Sequence, residues 1–306
     1  MPIRVVHLVA KTHLDLGFTA LASEVEQQYL DDFFPRAVAV AAELRSRGGP
    51  ERLVWTTGSW ILHRALHQAD AEQAGVIDGA VRAGDLAWHA LPLTTHTELM
   101  DAQLFRAGLG ISEELDDRFG RTTTAAKMTD VPGHTRAMVP LLAEAGVTFL
   151  HLGVNPAWPV PDVPPVFRWR SPDGAEVVVA YQAGGYGGEL TIDGCDDALA
   201  FLHSGDNLGP PSADDVVAAH ASLGAAYPGA EVRASTLDAF ARALAASGAV
   251  DDLPVVTAEI GDPWLFGAGS DPQKLAAYRH LLRSGQRSAV RDRRRLLVAE
   301  HTWGLD

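Results

Sequence analysis

Short apolar, β-branched runs alternate along the chain with longer stretches whose apolar residues recur at helical spacing. Residues 5–10 (VVHLVA) give way to a helical pattern near 23–47, LVWTT at 53–57 to a helix near 69–83, and LAWHAL at 86–91 to a helix near 100–119. The alternation continues through TTTAAKMT and a helix near 136–144, FLHLGV, ALAFLHS and a helix over 214–226, VRAS and a helix near 237–246, and VVTAEI. Strands that read as apolar on both faces and are separated by helices predict a parallel sheet covered by helices on each side. In such α/β folds the chemistry gathers at the carboxyl ends of the strands.

Three segments break the pattern. NPAWPVPDVPP at 155–165 is too proline-rich for a helix or a central strand, and FRWRSPDGAEVVVAYQ after it predicts a hairpin turning at Asp173 and Gly174. QAGGYGGELTIDG at 182–194 is a glycine-rich loop around Tyr186, a lid or a linker. It lacks the G-x-x-x-x-G-K-[ST] phosphate cradle, and no G-x-G-x-x-G follows a strand, so nucleotide binding has no support. From Asp271 the chain reads as helical, and RSGQRSAVRDRRRLL at 283–297 as a solvated face.

Composition narrows the chemistry. With 306 residues and 47% apolar content the chain can bury the core of one large α/β domain or two modest ones. Acidic residues outnumber basic ones by 39 to 25, and the formal charge of -14 repels nucleic-acid phosphates and anionic membranes, so neither is expected as a partner. Cys195 is the one cysteine, which rules out an internal disulfide and a thiolate cluster, so any metal must use His, Asp or Glu. The start MPIRVVHLVAK lacks a long apolar region and a cleavage site, and no window reaches 18 apolar residues; a cytoplasmic protein is expected.

Polar residues stand where several predicted strands end: His13 and Asp15, His89, Asp130 and His134, Asp206, Asp262, and His301. His13 and Asp15 are one strand repeat apart, so they share a face. In a closed parallel barrel such ends meet at one rim, and convergent His and Asp residues there suit zinc or a similar divalent ion in an open site. Asp262 precedes Pro263, and the alternative reading there is a helix N-cap.

Two of these stretches resemble known motifs. H-L-D-L-G-F at 13–18 is similar to the H-x-D-x-G-W element of glycoside hydrolase family 38, the zinc-dependent α-mannosidases, and D-V-P-G-H-T at 130–135 resembles their D-P-F-G-H-S. The likeness is colinear over about 4–306 and takes in 51–66, 81–98, the stretch from HSGDN onward, and 259–283. It implies a (β/α)7-type barrel over 1–262 and a helical segment over 263–306, with the family's β domains absent. It also implies zinc ligands at His13, Asp15, Asp130 and His301, a nucleophile at Asp130, an acid/base at Asp262 and a subsite aromatic at Phe18. His89, His96, His134 and Asp206 become candidate sugar contacts, with His134 also able to hold the Asp130 turn. The sequence departs from the family pattern at Lys11 (usually His), Phe18 (Trp), Pro132 (Phe) and Thr302 (Asp).

The implied activity is metal-dependent, retaining hydrolysis of an α-glycoside with a carbohydrate as partner, α-mannosidase-like in kind. Two other readings stand beside it. One is a metal-dependent polysaccharide deacetylase, although its T-F-D-D-G signature is absent; the other is a carbohydrate-binding protein without turnover.

Overall fold

A computed structural model describes residues 2–302, so the last four positions of the expected 263–306 segment lie outside the described residues. The chain runs through β1 (Val5–His13), α1 (Ala22–Gln28), α2 (Phe34–Arg47), β2 (Trp55–Gly58), α3 (Ser59–Gln68), α4 (Ala71–Ala83), β3 (Leu86–His89) and α5 (Ala102–Phe119). There follow β4 (Ala125–Asp130), α6 (Met138–Glu144), β5 (Phe149–Val154), β6 (Val166–Arg170), β7 (Glu176–Gln182), β8 (Asp197–Asp206), α7 (Ala213–Ala226), β9 (Glu231–Ala234), α8 (Leu237–Ser247) and β10 (Val255–Val256). Three helices complete it: α9 (Leu265–Gly269), α10 (Pro272–Arg283) and α11 (Ala289–Leu296).

Local chemistry sets several of these boundaries. The Asp70, Asp101 and Thr236 side chains accept from the third residue of α4, α5 and α8, taking up N–H groups that the first turn leaves free. The stretch expected as one helix near 23–47 is α1 and α2 joined by a π turn over Tyr29–Phe33 just before Pro35, whose missing N–H cannot complete an unbroken ladder.

Strand pairing gives two sheets. In one, β3, β2, β1 and β8 lie side by side and parallel, with β9 beside the first half of β1. In the other, the order is β10, β6, β7, β5, β4, all parallel except the β6–β7 hairpin, which turns at Asp173 and Gly174 as its sequence predicts. The sheets meet where Ala90 N–H donates to the Ala125 carbonyl at 3.0 Å. The result is an α/β half-barrel, and the ring of seven parallel strands is not the pairing found among the described residues. β3 stops at His89 before it can ladder with β4, and the hairpin inserts an antiparallel strand pair.

The last helices are part of the same body. Thr95 and Glu300 form an antiparallel bridge, His96 N–H donates to Ala299 O at 2.8 Å, and His301 N–H to Thr94 O at 3.1 Å. The arginine-rich run is only partly a solvated face: Arg295 is buried on Asp292, Arg287 reaches Asp101 and Asp292, and Arg293 pairs with Glu114 of α5. No helix among the described residues is long and apolar enough to cross a membrane.

Candidate metal centre and cavity

At the end of β1 the pairing with β8 shifts register between Thr12 and His13, and the strand stops at His13. Asp15 therefore lies beyond the strand, and strand periodicity alone does not set its direction. Asn207, at the end of β8 with φ of 51°, does so. Its Oδ1 accepts from Asp15 N–H at 3.2 Å, its Nδ2 donates to Asp15 O at 2.8 Å, and its own N–H donates to His13 O at 3.0 Å. Asn tolerates the left-handed region better than most residues, which suits it to this clamp.

Asp130 closes β4 with φ of 84°, a conformation that costs an ordinary side chain roughly 1–3 kcal/mol. The surroundings hold it there: Asn155 N–H donates to its carbonyl at 2.8 Å and Asn155 Nδ2 to its Oδ1 at 3.0 Å. Beyond it, Gly133 packs so closely on the 260–261 backbone that a Cβ would meet Ile260 O at 1.9 Å, and His134 N–H donates to that carbonyl. The third arm, His301, arrives on the bridged C-terminal segment with Glu300 Oε1 2.6 Å from its Nδ1.

These elements bring four predicted ligands together. His13 Nε2 and His301 Nε2 are 3.1 Å apart, each is 3.0 Å from Asp15 Oδ1, and Asp130 Oδ2 is 3.6 Å from His301 Nε2. Donors 2.0–2.1 Å from a tetrahedral zinc lie roughly 3.3 Å from one another, so the spacing fits such an ion. Asp15 Oδ2 is buried without a protein donor, and a carboxylate beside the His301 Nδ1 is a common way to orient a ligating imidazole. The residues present fit a divalent cation. Burial pushes the Asp15 carboxyl up, but hydrogen bonds from His13 and His301 outweigh it and hold it well below the usual carboxylate range. Burial lowers the His301 imidazole, yet the Glu300 charge and the bond to Asp15 raise it to about 10.

A cavity of about 290 Å³ opens over this cluster, at the lower end of the roughly 300–1,000 Å³ typical of small-molecule sites. Asp15, Asp130 and His301 form part of its wall together with Asp206 and Phe18, whose ring is 52% exposed. Tyr186 forms another part. Its ring is 4.8 Å from that of His13, and burial together with the Asp130 and Asp206 charges pushes its hydroxyl well above the usual phenol range. The glycine-rich loop is thus seated over the centre. Lys127 Nζ donates to Tyr186 O at 2.5 Å and contacts His151 Nδ1 at 2.9 Å, and Gln182 Oε1 accepts from Gly188 N–H at 3.0 Å. A Cβ on Gly153 would meet Tyr186 O at 2.3 Å, so glycine there is what admits the loop.

Four predicted site residues lie behind the cavity wall. His89 sits deeper in the half-barrel, buried beside Lys11 and Lys127, and burial and those charges hold its imidazole far below its ordinary range. His134 is buried against Thr97, its imidazole lowered to about 4 by burial, and it ties the Asp130 loop to residue 260. His96 binds the His301 carbonyl at 3.0 Å and Asp262 Oδ2 at 2.5 Å. Asp262 is closed off: its side chain is 0% exposed, and Trp264 N–H donates to its other oxygen at 2.8 Å. The helix N-cap expected of an Asp before Pro263 does not form: Trp264 stands at the N-cap of α9 with no side-chain cap, and Asp262 instead accepts from Trp264 N–H within the preceding turn. Sequence reasoning passed over Asn207, Glu300, Lys127 and the wall residues Asn155, Trp158 and Trp264. Of these, Glu300 carried a signal, a carboxylate adjacent to a candidate ligand.

The fold and site define an α/β half-barrel with a buried His and carboxylate donor set at its strand ends. Its fold is similar to that of an α-mannosidase from Enterococcus faecalis V583, with a TM-score of 0.65 at 16% identity over 84% of this chain and 31% of that one. A protein of glycoside hydrolase family 38 from Enterococcus faecalis gives 0.59 at 13% identity, over 92% of this chain and 31% of that one. The 4-alpha-glucanotransferase from Thermococcus litoralis gives 0.50 at 10%, over 98% and 47%. No protein-family profile matches the sequence, and no curated protein matches it. At these identities the likeness is one of fold, and the chain spans 31% of the length of each Enterococcus protein.

Proposed function

We propose that the chain is a metal-dependent retaining glycoside hydrolase acting on α-glycosides, α-mannosides first among them. The observation that carries this reading is the set of 3.0–3.6 Å contacts among His13, Asp15, Asp130 and His301 at the wall of a cavity of about 290 Å³. We read 1–262 as the catalytic unit, closed by the helical segment that brings His301. Zinc or a similar ion would be held by those four residues and would supply positive charge for vicinal sugar hydroxyls and for ring distortion toward an oxocarbenium-like state.

The chain's own carboxyls supply the rest. Asp130 attacks the anomeric carbon as the glycosidic oxygen leaves with a proton from a neutral carboxyl. That carboxylate then takes a proton from water, which attacks the same carbon and frees Asp130. Such a pair stands about 5–5.5 Å apart in retaining enzymes. We assign the acid/base to Asp206, the carboxylate that lines the cavity beside Asp15 and Asp130. Asp262, the position that the family resemblance favours, has both oxygens engaged and serves better to hold His96 and Trp264.

A second reading is carbohydrate binding at the same cavity without turnover. Turnover separates the two. The metal-loaded chain should hydrolyse an aryl α-mannoside with retention at the anomeric carbon, followed by proton NMR. Asp206→Ala should lose far more activity on methyl than on dinitrophenyl glycosides, because a good leaving group needs no proton. Inversion would sink the retaining mechanism, and the leaving-group pattern appearing in Asp262→Ala instead would return the acid role to Asp262.

A further inference from the structure

Three aromatic rings run outward from the cavity. Trp264 and Trp158 line it, with ring centroids 5.8 Å apart, and Phe266 packs on Trp158 at 5.5 Å. Phe266 is 61% exposed. A single exposed aromatic ring is ordinary on a protein surface, but this one continues a contiguous aromatic strip that begins inside the cavity. A second observation points to a ligand. Trp264 is 6% exposed, yet its indole N–H is buried without a protein partner. Buried indole N–H groups usually find an acceptor.

The cavity itself has room for about one ring, so a longer substrate must pass its mouth. We propose that Trp158, Trp264 and Phe266 form a second sugar subsite, which takes the ring on the leaving-group side of the cleaved bond. The apolar face of a pyranose stacks on Trp158 and Phe266, beside the edge of Trp264 that lines the cavity. Substrates are then α-linked di- or oligosaccharides rather than glycosides of small alcohols. Trp158 comes from the proline-rich 155–165 stretch, Trp264 from the turn after Asp262 and Phe266 from α9, so the Asp262 bond to Trp264 N–H positions one wall of the subsite. This assignment rests on the glycosidase reading for the identity of the ligand, but it makes a claim about binding that can be tested without turnover.

The test uses the full chain loaded with zinc. Calorimetry on the unsubstituted chain compares mannose, glucose and galactose with their α-linked thiodisaccharides, whose sulfur bridge resists cleavage. At least one disaccharide should bind roughly tenfold more tightly than its monosaccharide, and this gain should vanish when Phe266→Ala is added and return with Phe266→Trp. Phe266 is exposed, so its truncation leaves the core intact. In turnover, Phe266→Ala should raise KM for the oxygen-linked disaccharide at least tenfold more than KM for the glycosyl fluoride, whose leaving group cannot reach the strip. If no disaccharide outbinds its monosaccharide, or the gain survives Phe266→Ala, the subsite is overturned even where the fluoride is hydrolysed. A Phe266-dependent gain without turnover of any substrate would uphold the subsite and overturn the hydrolase.

Discussion

Asp130 illustrates how much of the site depends on single residues held against their preferences. Its left-handed backbone is a conformation that glycine adopts freely. Its carboxylate also stands among Asp15 and Asp206. Asp130→Gly should therefore abolish hydrolysis while stabilising the metal-free protein by about 1 kcal/mol, a rise of a few degrees in Tm. An unchanged or lower Tm in differential scanning calorimetry would mean that the Asn155 bonds to Asp130 offset the strain. His301 makes the second residue-scale prediction. Its imidazole is raised to about 10 in the metal-free cluster, so near neutral pH it carries a proton that a ligating nitrogen must give up. The protonated form stabilises the metal-free fold fully below its ordinary value near 6.5, and that contribution is lost as pH rises through about 10. Metal binding near pH 7 should release about one proton through His301. Calorimetry in buffers of different ionisation enthalpy would show it, and heats independent of buffer would contradict it.

At the scale of elements, most strands and helices were legible because apolar spacing reports burial directly. FLHLGV is β5 residue for residue, and the hairpin turn fell at Asp173 and Gly174. What stayed hidden depends on contacts across the chain. His13 and Asp15 were legible as a pair, but Asn207, 192 residues away from Asp15, aims them. Asp262 was legible as either an acid or a helix N-cap; α9 starts after Trp264 without it, and its burial against His96, 166 residues away, left no trace in the sequence. The loop around Tyr186 could be read as a lid or a linker. Its fixed seat comes from Lys127 and Gly153, residues that look like ordinary interruptions in apolar strands. Removing the Lys127 donor with Lys127→Met should leave the metal affinity of the four-residue centre within a few-fold of the parent and release residues 183–188. Limited proteolysis should then cut that loop at least tenfold faster. An unchanged cleavage rate would show that Gly153 and Gln182 hold the loop without Lys127.

Across the whole molecule, the site is assembled from three distant parts of the chain: the end of β1, the end of β4, and the C-terminal segment returned by α11. That segment is tied by backbone bonds to Thr94 and His96, which hold His301 beside His13 and Asp15. The half-barrel brings these parts together without the closed seven-strand ring that the resemblance implied. The central claim is that this assembly is a metal centre on which glycoside hydrolysis depends. The most direct test is zinc titration of the chelator-treated chain, with α-mannoside hydrolysis followed at each addition. Activity should be lost on chelation and recover with a break at about one equivalent, and the paired substitution His13→Ala with Asp15→Ala should neither bind nor respond. Full hydrolysis by the metal-free chain, or a full equivalent of tightly bound zinc in the double variant, would contradict the account.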